Sequence, residues 1–254
     1  MKIVFPELEN PIIQEAVLKY QKSHPEFSAL KASSLEEACL MTKSNAADAL
    51  IAGIDYTTRE IVLACKDYLG ALGDTFSSCF VMEKTSSPPL IIADAGVTKN
   101  PTRAQLKDIV LQTQKTAKKV LDDEPRIAML SFSTFGSAKD ESIDKINDVI
   151  RSIHESHPEI IIDGEMQLDC AINPAVAKKK STAHPSPVAG HANVLITPDL
   201  NSGNILYKSL QQFGGYTAAG PILQGFKKPA SDLSRGSTVE DVILVIATLA
   251  KLIK

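Results

Sequence analysis

Short β-rich apolar runs alternate with longer amphipathic stretches along nearly the whole chain. Ile3, Val4 and Phe5 form the first run and predict a strand, with amphipathic helices following near 11–22 and 35–45 and another strand at Ala49, Leu50 and Ile51. A helix after Thr57, apolar runs at 80–82 and 90–93, a long helix near 103–121 and a run at 127–130 extend the alternation. Further units are predicted at 160–162, at 193–196 and in a closing apolar-periodic helix. Strands separated by helices imply an α/β chain with parallel strands, because a parallel neighbour needs a crossover long enough to hold a helix. Pro185 and Pro187 mark a long irregular loop, and the chain has neither an internal repeat nor a low-complexity tract.

With 254 residues, 44% hydrophobic and 22% charged, the chain has material for one large or two moderate globular domains. Met1 to Phe5 run straight into Pro6 without a secretory apolar segment, and no later run approaches membrane-spanning length. A cytoplasmic protein without a membrane partner is therefore expected. The formal charge of −3 gives no global basic field, which argues against nucleic acid as a partner and leaves anion binding to local features. Lys178, Lys179 and Lys180 read as the solvated end of a helix, whereas Lys227 and Lys228 adjoin the segment of greatest chemical interest. Arginine is scarce: Arg59, Arg103, Arg126, Arg151 and Arg235 are the only candidates for a bidentate grip on phosphate. Cys39, Cys65, Cys79 and Cys170 are scattered without CxxC spacing, which predicts buried thiols and implies no metal. His24, His154, His157, His184 and His191 have no spacing that demands a ligand role.

That segment is 220–242, GPILQGFKKPASDLSRGSTVEDV, where turn glycines, a hydroxyl, a guanidinium and a carboxylate precede an apolar-periodic helix. Ser237 and Glu240 read as a capping box, which puts Ser234, Arg235 and Gly236 at the helix entrance and Asp241 about one turn inside it. Spacing alone equally admits an ordinary capped helix with a structural Arg–Asp pair. Gln224 of the same segment is a further candidate contact. Small polar residues also crowd three strand exits, at 93–96, 131–137 and 199–204, where ligands settle in open α/β sheets. Ser133, Thr134, Gly136, Ser137 and Asn204 are the candidate phosphate-side contacts there, although turn chemistry explains any one of these loops. No GxxxxGK[ST], GxGxxG or GxSxG motif occurs, which argues against a P-loop hydrolase, the usual dinucleotide fingerprint and a nucleophile elbow.

ADAG at 93–96, MLSFSTFGSA at 129–138, DGEMQLDCAI at 163–172, SPVAGHANVLITPDLNSGNILYK at 186–208 and the 220–242 segment occur in an order that resembles the phosphate acetyltransferase and phosphate butyryltransferase family. FPELEN at 5–10 is similar to the family's start, so the likeness covers nearly the whole chain. It implies a two-domain α/β fold of the isocitrate/isopropylmalate-dehydrogenase type, with the active site in an interdomain cleft and usually a homodimer. Residues 1–70 and 224–254 would form one domain and 71–223 the other. The implied reaction is reversible transfer of an acetyl or other short acyl group between coenzyme A and inorganic phosphate. Acyl-CoA and phosphate or acyl phosphate are the implied partners, with coenzyme A as substrate and no further cofactor.

By resemblance, Asp241 matches the base for the thiol, Arg235 the group that stabilises transition-state charge, and Ser234 the hydroxyl that orients the attacking group. Arg59, in DYTTREIV, resembles an arginine that contacts coenzyme A. An ordinary thiol and an ordinary aspartate differ by about 4–5 pKa units, roughly 6–7 kcal/mol, so proton removal is expected to accompany attack at the carbonyl. The chain departs from the family in two ways: material is missing before Arg59, and Gln211 and Gln212 stand where many relatives carry an arginine. These departures motivate the alternative of a non-catalytic coenzyme A or phosphate-binding homologue. A metal- and nicotinamide-dependent dehydrogenase is the weaker third reading, opposed by the lack of a paired-aspartate metal motif.

Overall fold

The computed structural model describes residues 1–85 and 87–253. Its amino-terminal part runs β1 (Lys2–Phe5), α1 (Pro11–Ser23), β2 (Ser28–Lys31), α2 (Leu35–Lys43), β3 (Ala49–Ala52) and α3 (Thr58–Ala64), the last continuing into a π-helical turn at Cys65–Leu69. The middle comprises β4 (Ser77–Lys84), β5 (Ser87–Ala93), α4 (Arg103–Val120), β6 (Ile127–Leu130), α5 (Glu141–Ser156), β7 (Ile162–Met166), α6 (Leu168–Ile172), α7 (Pro174–Lys180) and β8 (Val194–Ile196). The chain closes with α8 (Leu200–Gln212), β9 (Thr217–Gln224), β10 (Ala230–Asp232) and α9 (Val239–Ile253). Side chains fix the helix starts: Asn10, Ser34 and Asp140 accept backbone N–H groups, and Thr57–Glu60 and Thr102–Gln105 make reciprocal capping boxes.

All ten strands join one sheet in the order β2-β1-β3-β10-β9-β4-β5-β8-β6-β7. Two parallel blocks flank a central antiparallel stretch, because β9 pairs antiparallel with both β10 and β4, and β4 antiparallel with β5. The expectation of parallel strands therefore holds at the flanks and fails in the middle. The connections there, from Lys84 to Ser87 and from Gln224 to Ala230, are too short for a crossover helix, so each strand returns beside its neighbour. The predicted strand at 160–162 lies instead at Ile162–Met166, since Ile160 is held in the turn that ends α5 by a bond from its N–H to the His157 carbonyl.

Side-chain alternation along the strands sorts the core into two faces. Ile3, Phe5, Ile51, Cys79, Val81 and Ile91 point to a continuous cluster that includes residues of α1, α4, α5 and α9. Val4, Leu50 and Ala52 point to the opposite face, with α2 and the π-helical turn, whereas Phe80, Met82 and Ile92 join a separate cluster with residues of α6, α7 and α8. That second face is interrupted where the two clusters meet. All four cysteines are free and buried, as their spacing predicts.

Candidate active site

A cleft of about 400 Å³ opens on the interrupted face, between the start of α3 and the side of α8. Its lining comes from the exits of β3, β5 and β10 and from the sheet itself at Phe80 and Pro221. Phe80 stacks on Tyr207 of α8 with ring centroids 3.8 Å apart, which fixes that helix against the strand. Asn204, Tyr207 and Lys208 line the cleft from one side of α8, as their spacing of three and four residues requires. From the other side, Thr58 and Arg59 reach in at the first turn of α3, next to Ser234 and Arg235 beyond β10.

The β3 exit is set by Glu7, whose buried carboxylate accepts the Gly53 N–H at 2.7 Å and also the Asp55 N–H. Gly53 has φ +122°, and a Cβ there would collide with Asp232 Oδ1 and the Leu233 backbone. Close approach of β3 and the β10 exit thus needs a glycine, and that approach forms one cleft wall. Arg59, Lys208 and Arg235 all line the cleft, and none of them has an ion-pair partner among the described residues. Asp232 is the carboxylate among them, only 2% exposed. Burial pushes its carboxyl up to about 7, against the lowering effect of the Thr58 hydroxyl and with help from the negative charge of Glu7. The cleft lining therefore carries three cations and one carboxyl that gains charge only near neutrality.

Of the residues singled out in the sequence, Ser234, Arg235, Arg59 and Asn204 come together here. Asp241 does not line the cleft. It is 4% exposed, and its Oδ2 accepts the Thr238 N–H and hydroxyl, both at 2.9 Å, while Oδ1 accepts the Ala218 N–H at 3.1 Å. Gln211 Nε2 lies 3.3 Å from both oxygens. Gln211 is one turn beyond Tyr207 and Lys208 on the same side of α8, so Asp241 sits behind the end of the cleft.

The capping box is Thr238 with Asp241, one residue later than the Ser237–Glu240 frame expected, since the Asp241 N–H also bonds Thr238 Oγ1 at 3.2 Å. Ser237 is used instead to close the turn, accepting the Ser234 N–H at 3.0 Å.

The structure does not bring the 131–138 loop to the cleft. Ser133 Oγ donates to Glu165 at 2.8 Å, the Gly136 N–H donates to the same oxygen at 2.7 Å, and Ser137 Oγ accepts the Thr134 N–H at 3.0 Å. Thr134 Oγ1 accepts the Gln167 N–H at 3.0 Å. Gln224 is buried elsewhere, bonded to Ser77, Thr113 and Thr116. Lys227 and Lys228 line a different cavity with Lys115 and Lys119, contrary to the expectation that they adjoin the site. They precede β10, whereas Ser234 and Arg235 follow it.

Sequence reasoning passed over Thr58, Lys208 and Asp232. Asp232 stands inside the DLSRG element, and Lys208 follows Asn204 by one helical turn, so both were within reach of the pattern already in view. Among the described residues no group of three or more His, Cys, Asp or Glu is placed to hold a metal ion, and no helix is long and apolar enough to cross a membrane.

The family model described as "Phosphate acetyl/butaryl transferase" matches residues 28–250. The chain belongs to the phosphate acetyl/butyryl transferase family. A phosphate acetyltransferase of Treponema pallidum is 38% identical over 264 residues, covering 97% of this chain and 78% of the relative. The crystal structure of a phosphotransacetylase from Streptococcus pyogenes superposes with a TM-score of 0.87 at 29% identity, covering 100% of this chain and 94% of that one. A putative 4-hydroxythreonine-4-phosphate dehydrogenase from Salmonella typhimurium shares the fold alone, with a TM-score of 0.58 at 12% identity over 99% of both chains. Family membership thus agrees with the order of sequence blocks, and the mixed α/β sheet is that of the phosphotransacetylases.

Proposed function

We propose that this family member transfers an acetyl or other short acyl group reversibly between coenzyme A and inorganic phosphate, in the cleft between α3 and α8. The observation that carries the reading is the lining of that cleft, where Arg59, Lys208 and Arg235 outnumber the single carboxyl of Asp232. Both substrates and the acyl phosphate are anions, and a recess with excess positive charge concentrates them. Arg235 holds the phosphate oxygens and then the oxyanion that develops at the acyl carbon, a task its planar fork suits better than an ammonium. Ser234, next to it, orients the attacking group. Arg59 serves coenzyme A, and Asn204 and Lys208 bound the cleft from α8.

Asp241 enters this reading as the base that the family resemblance names. Its contacts with Gln211 of α8, at 3.3 Å, are the longest in its set. Displacement of that amide by substrate frees the carboxylate for the thiol, while the Thr238 and Ala218 bonds keep it in place. Ser133, Thr134, Gly136, Ser137 and Gln224 have no substrate contact in the reading, because protein groups already engage them.

The reading extends to two domains of the isocitrate/isopropylmalate-dehydrogenase type, 1–70 with 224–254 and 71–223. The change from parallel to antiparallel pairing at β10, β9 and β4 and the break in the core on the cleft face support that division. It extends also to a cytoplasmic homodimer, with no nucleic acid or membrane partner. Four free thiols suit a reducing compartment, and the exposed Ile205 and Phe213 of the α8 region are apolar surface that a second copy would cover. The test is phosphate-dependent thiol release from acetyl-, propionyl- and butyryl-CoA by purified protein. Release with at least one of them is expected, and its absence at every pH would refute the function.

A further inference from the structure

A second recess, of about 430 Å³, lies apart from the acyl-transfer cleft and shares no lining residue with it. It sits where two connections of the chain cross, one at 70–76 leading into β4 and one at 225–229 between β9 and β10. Ala71 and Phe226 form an antiparallel bridge, the Leu72 N–H donates to the Gly225 carbonyl at 2.8 Å, and the Lys227 N–H donates to the Gly70 carbonyl at 3.0 Å. Gly225 has φ +90°, and a Cβ there would come within 2.5 Å of the Thr75 carbonyl oxygen, so the crossing needs a glycine. In the proposed two-domain division these are the two passages of the chain between domains.

The recess is strongly basic. Lys115 and Lys119 reach it from one side of α4, and Lys227 and Lys228 from the second connection. Asp108 is the one carboxylate of the lining, and it already accepts the Thr75 hydroxyl at 2.6 Å. Four ammonium groups against one carboxylate is a concentrated positive charge in a chain of net charge −3. None of the four has an ion-pair partner among the described residues. Lys119 Nζ donates to the Leu252 carbonyl near the end of α9 at 2.8 Å, and Lys228 Nζ donates to Asn45 Oδ1, so local structure accounts for these two. It does not account for Lys115, or for Lys227, whose stem lies beside Gly70. Leu111, Leu223 and Phe226 add an apolar wall, and Leu72 lines the recess while 71% exposed. A small inorganic anion would leave that wall bare, and an apolar ligand would leave the ammonium groups uncompensated. An organic phosphate with two or more charges and an apolar body satisfies both.

We propose that this recess is an effector site for an organic polyphosphate, held by lysines from both sides of the crossing, with its body on Leu111, Leu223 and Phe226. Binding there is independent of the acyltransferase reading, whereas the effect on turnover rests on it. Lys115 and Lys119 belong to the 71–223 domain of that reading and Lys227 and Lys228 to the other, so one ligand spans both. The 225–229 turn enters β10, which is only three residues long and ends two residues before Ser234. A ligand that fits one arrangement of the two domains better than another thus shifts the geometry of the cleft. Nucleoside polyphosphates and coenzyme A share the required chemistry.

The experiment is calorimetric titration of the purified protein with ATP, coenzyme A and inorganic phosphate. The proteins are the wild type, the recess variant Lys115→Gln/Lys227→Gln, and the control Lys178→Gln/Lys179→Gln, which changes the net charge equally at a distant helix end. ATP should bind the wild type and the control alike and the recess variant ~10-fold or more weakly. A second equivalent of coenzyme A that the recess variant loses would support the site and make coenzyme A its occupant. Equal binding of both probes to wild type and recess variant would overturn the site, as would no binding of ATP together with a single equivalent of coenzyme A. Inorganic phosphate that binds as tightly as ATP would overturn the part given to the apolar wall. Saturating ATP, or coenzyme A if it is the occupant, should change kcat for acyl transfer by ~3-fold or more in the wild type and leave the recess variant unaffected. Competition in the cleft itself moves KM and not kcat. Binding in the recess without a change in kcat would overturn the effector role. A wild type that releases no thiol would overturn the acyltransferase reading, and ATP binding lost in the recess variant would still support the site.

Discussion

Two strand exits in this molecule are made of similar residues and come to opposite ends. Beyond β6, Ser133 Oγ and the Gly136 N–H donate to the Glu165 carboxylate, while the N–H groups of Thr134 and Ala138 are taken up by serine hydroxyls of the same loop. Beyond β10, Ser234 and Arg235 face open space, and the neighbouring carboxyl of Asp232 is left half-satisfied. The first exit is stabilised by its bonds and has little to offer a ligand. The second retains unused hydrogen-bonding and charge capacity, which is what a binding site must keep. A turn rich in hydroxyls and glycine thus shows where an anion fits in principle, and only the fold decides whether a substrate or a side chain arrives there.

The sharpest way to break this contrast is to remove the unused capacity. Arg235→Ala should lower turnover by ~100-fold or more while leaving thermal stability close to wild type, and Arg235→Lys should recover only part of the loss. Steady-state thiol release and a melting curve check both halves.

The closed exit should respond in the opposite sense. Glu165→Ala removes the carboxylate that accepts the buried Ser133 hydroxyl and the Gly136 N–H and should destabilise the fold by about 1–3 kcal/mol in urea unfolding, with a far smaller effect on turnover per folded molecule. Loss of turnover at unchanged stability would mean that this loop, too, works on substrate. Burial acts to raise the Glu165 carboxyl, but the Gly136 N–H and the Ser133 hydroxyl outweigh it and hold the group below the ordinary glutamate range. Its contribution to stability is therefore present above the ordinary glutamate pKa and disappears as pH falls through the lowered value.

Asp232 has the reverse sign. Its raised carboxyl favours the folded state fully only below the ordinary aspartate pKa, and that contribution is lost as pH rises through about 7. Melting temperatures of Asp232→Asn should accordingly gain on the wild type between about pH 4 and pH 7 and then level off. A difference that stays flat with pH would show that this carboxyl is not the group that titrates. The smallest effect belongs to the exposed pair of Lys180 with Asp169, 2.8 Å apart, where Lys180→Ala should cost less than about 1 kcal/mol in the same unfolding assay.

The sequence made much of this plan legible, for physical reasons that differ by region. Strand and helix periodicity sufficed for the alternating α/β flanks, and the DLSRG element with Arg59 and Asn204 pointed to the cleft. The antiparallel centre was missed because apolar runs look alike in either direction, and the short Lys84–Ser87 connection decides the matter. The capping frame slipped by one because Ser237 with Glu240 and Thr238 with Asp241 both fit the local pattern. Asp241 prevails through bonds to Ala218 and Gln211 that local spacing does not encode. Glu165, far from Ser133 in the chain, becomes its partner only once β7 lies beside β6.

The central claim is that the cleft holding Arg59, Lys208 and Arg235 carries out acyl transfer. Thioester formation from acetyl phosphate and coenzyme A, compared between wild type and Arg235→Ala at matched folded concentration, tests it most directly. The account expects steady thioester formation by the wild type and a fall of ~100-fold or more in the variant. Equal rates in the two proteins, or none in either, would contradict it.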